Sequence, residues 1–180
     1  MIVYIHSHEI EDRGYTMGRH SGVGDIEHII VPDGTSVSGI ASLVTARVTH
    51  TSSIWTLIFN GHGDDNRSGT IYIGSWIDAS NVIDLAPINP LMNRRGRGVE
   101  LHCCRAAAST AMISAMARTL GVPVMAGVEN QVGMRCSSGS NLCLPFGGDT
   151  YGRLEGPVAI ASTDGSISFM NGEDTVVSCP

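Results

Sequence analysis

Gly98-Val99-Glu100-Leu101-His102-Cys103-Cys104 decides how this chain is read. A short apolar run breaks off in a histidine and two cysteines. An earlier stretch has the same shape: Ile54-Trp55-Thr56-Leu57-Ile58-Phe59 runs into Asn60-Gly61-His62-Gly63. Short apolar runs bounded by glycines and polar residues are strand-like. As parallel strands, the two would end side by side at the carboxyl edge of one sheet, where open α/β sheets hold their ligands. An imidazole and a thiol on that edge supply a base and a nucleophile.

Working outward, strands and helices alternate. Residues 2–6 read as a buried strand. Residues 7–33 carry charges, glycines and histidines with little period, which predicts a loop holding a short strand at Ile29-Ile30-Val31. Val37, Ile40, Ala41, Val44 and Val48 recur at helical spacing behind a Thr35 or Ser36 cap. Residues 69–74 form a short strand between turn glycines. Residues 81–92 are rich in apolar side chains, but Pro87 and Pro90 break any long helix. Residues 106–120 predict the best helix, closed by Gly121 and Pro123. Residues 122–128 are a further strand and residues 131–153 a long loop. A hairpin over residues 158–170 turns at Thr163-Asp164-Gly165. This order predicts one α/β domain over residues 1–180, with a mainly parallel central sheet and helices on both faces.

Composition narrows the function. A chain of 180 residues with 42% hydrophobic and 16% charged residues can bury a real core. A formal charge of −6 and no run of basic residues beyond Arg94-Arg95-Gly96-Arg97 argue against a nucleic-acid partner. No apolar run approaches the ~18 residues of a membrane span. Residues 1–5 read as a strand rather than a signal peptide. Five cysteines, two of them adjacent, fit a reducing compartment better than a disulfide scaffold, so the expected location is the cytoplasm. The spacing of Cys136 and Cys143 fits no common zinc pattern.

His62 stands between two glycines, where the Gly63 amide can donate to a developing oxyanion while the imidazole moves a proton. The plainer reading is a glycine-rich turn with a surface histidine. Cys104 is expected at the start of the helix, where the dipole favours a thiolate. Strand alternation sends Cys103 to the opposite face, into the core. The plainer reading here is two buried small hydrophobes.

An apolar strand ending in His62-Gly63, followed by one ending at Cys104, resembles the caspase-like clan of cysteine peptidases. That clan includes caspases, legumain, gingipains, separase and the bacterial CHAT domains. The stretches from Gly61 to Gly74 and from Val99 to Ala106 are similar in texture to CHAT-type proteins. The spacing of 42 residues between His62 and Cys104 is near the ~50 of caspases. The resemblance implies a three-layer sandwich and a cysteine endopeptidase that cleaves a protein or peptide without a metal or cofactor. It implies His62 as general base and acid, Cys104 as nucleophile, and the Gly63 and Cys104 amides as the oxyanion hole. The residue two before the nucleophile lines the substrate pocket in the clan. Here it is His102, a departure from the clan's Gln or acid, and the caspase pentapeptide is absent. Further pocket residues implied by position are Glu9, Asp12, Arg13 and Glu129. Acids outnumber Arg13 there, which favours a basic substrate residue. An activating protein partner or a larger parent chain stays open.

Two other readings use the same edge. His6, His8, His62 and Asp64 make a metal-ligand set suited to zinc, manganese or iron, as in a metal-dependent hydrolase. It leaves Cys104 unexplained. A catalytically silent interaction module could share the peptidase fold, since fold does not dictate function.

Overall fold

Five parallel strands carry most of the fold. In the computed structural model, which describes residues 1–9, 26–48, 53–64, 66–130, 154 and 156–171, these are β1 (Ile2–Ser7), β2 (Ile26–Val31), β3 (Thr56–Asn60), β7 (Gly98–His102) and β8 (Val124–Gly127). The antiparallel pair β9 (Pro157–Ala161) and β10 (Ile167–Asn171) extends the sheet beyond β8. The strand order is β10-β9-β8-β7-β3-β1-β2. A second, three-stranded sheet is inserted between β3 and β7: β4 (His62–Asp64), β5 (Arg67–Tyr72) and β6 (Trp76–Ile77), in that spatial order. The α/β class and the mainly parallel sheet are as expected from the alternating pattern.

Each helix follows from its apolar stripe. Helix α1 (Val37–Arg47) buries Val37, Ile40, Ala41 and Val44, and the Ser36 hydroxyl caps it by accepting the Gly39 N–H at 3.1 Å. Helix α2 (Thr110–Leu120) buries Met112, Ile113, Met116, Ala117 and Leu120 and ends at Gly121, whose φ of 65° is left-handed. It starts at Thr110, not at Ala106 as expected. The intervening backbone is spent elsewhere: the Arg105 N–H bonds the Glu129 carbonyl at 2.9 Å and the Ala107 N–H bonds the Gly127 carbonyl at 3.0 Å. Donors tied to the end of β8 hold residues 104–107 in turns.

Residues 82–91 form a 3-10 helix. Its buried residues are Val82, Leu85, Ile88 and Leu91, a strict period of three. That period suits a helix of three residues per turn, in which i and i+3 eclipse. Pro87 and Pro90 lack the N–H that an α-helix would use there.

One core contains both helices, the 3-10 segment and the inner residues of the small sheet. It packs against the face of the main sheet built by Val3, Ile5, Leu57, Phe59, Val99, Leu101, Val124 and Ala126. Among the described residues no helix packs on the opposite face, so the expected two helical layers are met on one side. That opposite face carries Ile2, Tyr4 and Ile58 as a small separate cluster. None of the described helices is long and apolar enough to cross a membrane.

The three-residue period makes a direct prediction. Ile88 is fully buried and Ile83 is 60% exposed. Ile88→Ala should cost about 2–5 kcal/mol in denaturant unfolding, whereas Ile83→Ala should stay within about 0.5 kcal/mol. Equal losses would mean the segment is not held by this face.

Candidate active site

The chain steps from β1 to β2 on one side and returns to place β3 on the other side of β1. The sheet's direction of growth therefore switches between β1 and β3, the place where open α/β sheets hold their ligands. His6, Asn60 and His102 form a single register row at the carboxyl ends of β1, β3 and β7. The next residues point to the other face. Ser7 is fully buried and Cys103 is 1% exposed.

The two cysteines have opposite surroundings. The Cys103 thiol donates to the Phe59 carbonyl at 3.7 Å within the core. Burial pushes its pKa up to about 12, so it stays a neutral thiol. Its expected place in the core is what the structure has. Cys104 is half-buried. It precedes Arg105, the one described non-glycine residue with positive φ, at 52°. Such a conformation costs about 1–3 kcal/mol and is held by the β8 hydrogen bonds already named. Cys104 is thus presented on a strained turn, six residues before α2. The expected help from a helix dipole is absent, because that help is confined to the first turn.

Gly63 makes the junction. A Cβ there would overlap the Cys104 carbonyl oxygen and stand 3.2 Å from its Cα. Only a residue without a side chain lets β4 lie on the Cys104 main chain. With 3.8 Å between successive α-carbons and that contact, the His62 and Cys104 α-carbons are at most about 8.5 Å apart. His62 lies on the other pleat of β4, in register with Tyr72. Its side chain is 35% exposed, and the Glu9 Oε2 stands 3.5 Å from its Nε2. That nitrogen is buried and makes no hydrogen bond of normal geometry.

Behind this edge lies a polar ladder. Tyr4, His6 and His28 stack with ring centroids 5.2–5.3 Å apart. The Asn60 amide lies 3.1 Å from His6 Nδ1, and His6 Nε2 lies 3.0 Å from His28 Nδ1. With Asn60 donating, His6 carries its one proton on Nε2 and donates it to His28. This order requires a neutral ring. Burial, then His28 and His102, lower the His6 pKa to about 4. Beside it, the fully buried Glu100 accepts from Arg97 Nε and from His102 Nε2, the latter at 3.0 Å. Burial alone would raise the Glu100 pKa, but the His102 and Arg97 contacts outweigh it and hold the carboxylate ionised.

The remaining predicted residues fall in different places. Glu129 is exposed, with its carboxylate beside Gly156 and its carbonyl holding the Arg105 turn. Arg13, Asp12, Cys136 and Cys143 lie outside the described residues, as does the Asp64 side chain. His6 does not gather with His8 and His62. Both its ring nitrogens are engaged, and among the described residues no three His, Cys, Asp or Glu side chains converge on a metal-sized site. The reading from sequence passed over His28 and the ionised role of Glu100. An acid inside the run Val99-Glu100-Leu101 was the available signal.

An unfolded His6 titrates near 6.5 and the folded one near 4, so between those values the unfolded chain binds more protons. The His6 contribution is intact above pH 6.5 and is lost as pH falls toward 4, about 3 kcal/mol in all. Urea midpoints measured over that range should fall, and His6→Gln should flatten the fall. Gly63→Ala should displace β4 from the Cys104 turn and cost about 1–3 kcal/mol in the same assay.

Comparison with family profiles, with curated proteins and with solved structures finds no match to this chain.

Proposed function

We propose that this chain is a cysteine endopeptidase of the caspase-like kind, acting through His62 and Cys104. The observation that carries the reading is the main-chain contact of Gly63 with Cys104. It puts a histidine and a half-exposed thiol on adjoining segments at the switch point of a parallel sheet, while Cys103 is withdrawn into the core. Burial of Ile2, Tyr4, Ile58 and Met125 on the sheet face opposite the described helices supports a second covering layer, as the three-layer sandwich needs.

His62 takes the Cys104 thiol proton, and the sulfur attacks the scissile carbonyl carbon. The carbonyl oxygen becomes an oxyanion held by the Gly63 and Cys104 amides. Collapse expels the amine, which takes the proton from His62, and leaves a thioester on Cys104. Water, deprotonated by His62, attacks the thioester. The acid product leaves and the thiol is regenerated.

A peptide library supplies the assay. Cys104→Ala and His62→Ala should each lower kcat/KM at least about a thousandfold, because nucleophile and base act as a unit. Cys103→Ala should keep most activity, and iodoacetamide should label Cys104 well ahead of Cys103. Activity should survive chelation. Normal cleavage by both cysteine variants would sink the reading, and zinc or manganese dependence would move it to a metal-dependent hydrolase.

A further inference from the structure

His62 starts a row of rings. Tyr72 faces it across the β4–β5 pair, and Trp76 faces Tyr72 across β5–β6. Facing residues of paired strands share one side of the sheet. The alternate residues Ile71 and Ile77 are fully buried in the core, so the row lies on the outer side. Tyr72 and Trp76 meet edge to face at 5.2 Å and are both half-buried.

Carboxylates border the row. The Tyr72 hydroxyl donates to Asp33 Oδ1 at 3.3 Å, and Glu9 stands at the His62 end. Desolvation first, and then the charges of Asp33 and Glu9, raise the Tyr72 pKa, so both acids act on this ring. A guanidinium is already seated at the far end: Arg67 Cζ lies 5.1 Å from the Trp76 ring centroid. The rings accept a cation in the geometry of a cation–π contact.

Acid catalysis orients a substrate over this row. His62 must give its proton to the leaving amine, so the part of the substrate after the scissile bond lies at His62. Beyond His62 along the small sheet come Tyr72 and then Trp76.

We propose that the outer face of the small sheet is the subsite for the leaving half of the substrate, and that it selects an arginine or lysine seated on Tyr72 between Glu9 and Asp33. This assignment rests on the peptidase reading for the direction of the chain. The recognition itself rests on the rings and acids. It is separate from the row of His6, Asn60 and His102, which lies at the ends of the main sheet.

The test measures binding and cleavage apart. Acetylated, amidated hexapeptides carry Arg, Lys, Ala or Glu at each position in turn. Cys104→Ala protein is titrated with them by calorimetry, and wild-type protein is assayed for cleavage. Cation–π and ion-pair contacts at a half-exposed site are worth a few-fold to tenfold. Arg and Lys peptides should therefore bind about five- to tenfold tighter than Ala peptides, and Glu peptides weaker still. Tyr72→Leu should remove that preference, Tyr72→Phe should keep most of it, and Asp33→Asn should halve it or more. In cleavage, the preference should map to a position after the scissile bond. Selective binding without cleavage leaves the subsite standing and removes the peptidase reading. Cleavage indifferent to a basic residue after the scissile bond, or a preference unchanged in Tyr72→Leu, overturns the subsite and leaves the peptidase reading in place.

Discussion

The contact between Gly63 and the Cys104 main chain is the constraint on which the site depends. Two segments that leave different strands can touch there only because neither carries a side chain into the gap. The contact sets where β4 starts, and with it the placement of His62 and the line of the small sheet. It also braces the strained turn at Arg105 from the side opposite β8. Strain of this size persists when the surroundings over-determine it, and here the hydrogen bonds that Arg105 and Ala107 donate to the Glu129 and Gly127 carbonyls act together with the glycine contact.

The two faces of the main sheet divide the labour. One is apolar and holds the fold through both helices and the 3-10 segment. The other carries ionisable residues in two linked pairs, Glu100 with His102 by a hydrogen bond and His6 with His28 by a hydrogen bond and ring stacking. Buried charges are costly unless paired, and each carboxylate oxygen of Glu100 has a partner. A satisfied polar network of this kind fixes the geometry of the strand ends more tightly than an apolar face of equal area would. His6 and His102 also share a register row with Asn60, at the switch point of the sheet.

The main strands were legible because each is a short apolar run with a glycine or polar stop, and α1 because its stripe has a clear helical period. Cys103 could be assigned to the core by alternation alone. The small sheet was legible only in part, as residues 69–74. Its outer strands have two or three residues, too few for any period to show, and they exist through pairing rather than pattern. The start of α2 was not legible, because the alanines at 106–108 are good helix formers and nothing local reveals that the Arg105 and Ala107 N–H groups are taken by the Glu129 and Gly127 carbonyls. Residues 82–91 show a period of three in the sequence, but the two prolines there read first as helix breakers. At the site, His62 and Cys104 could be picked from their positions after strands. The pairing of Glu9 with His62 could not, because it joins residues far apart in the chain.

Adjacent cysteines usually invite a redox reading, and their placement here gives an asymmetric one. Oxidation of Cys104 to a sulfenic acid is normally relieved by a second thiolate that forms a disulfide. Cys103 is the nearest sulfur in sequence, yet it points into the core and, with its pKa near 12, supplies almost no thiolate at neutral pH. Its neighbour therefore gives Cys104 no protection by disulfide formation. Reduction must come from another thiol, such as a small diffusible one, and without it the sulfur advances to the irreversible acids.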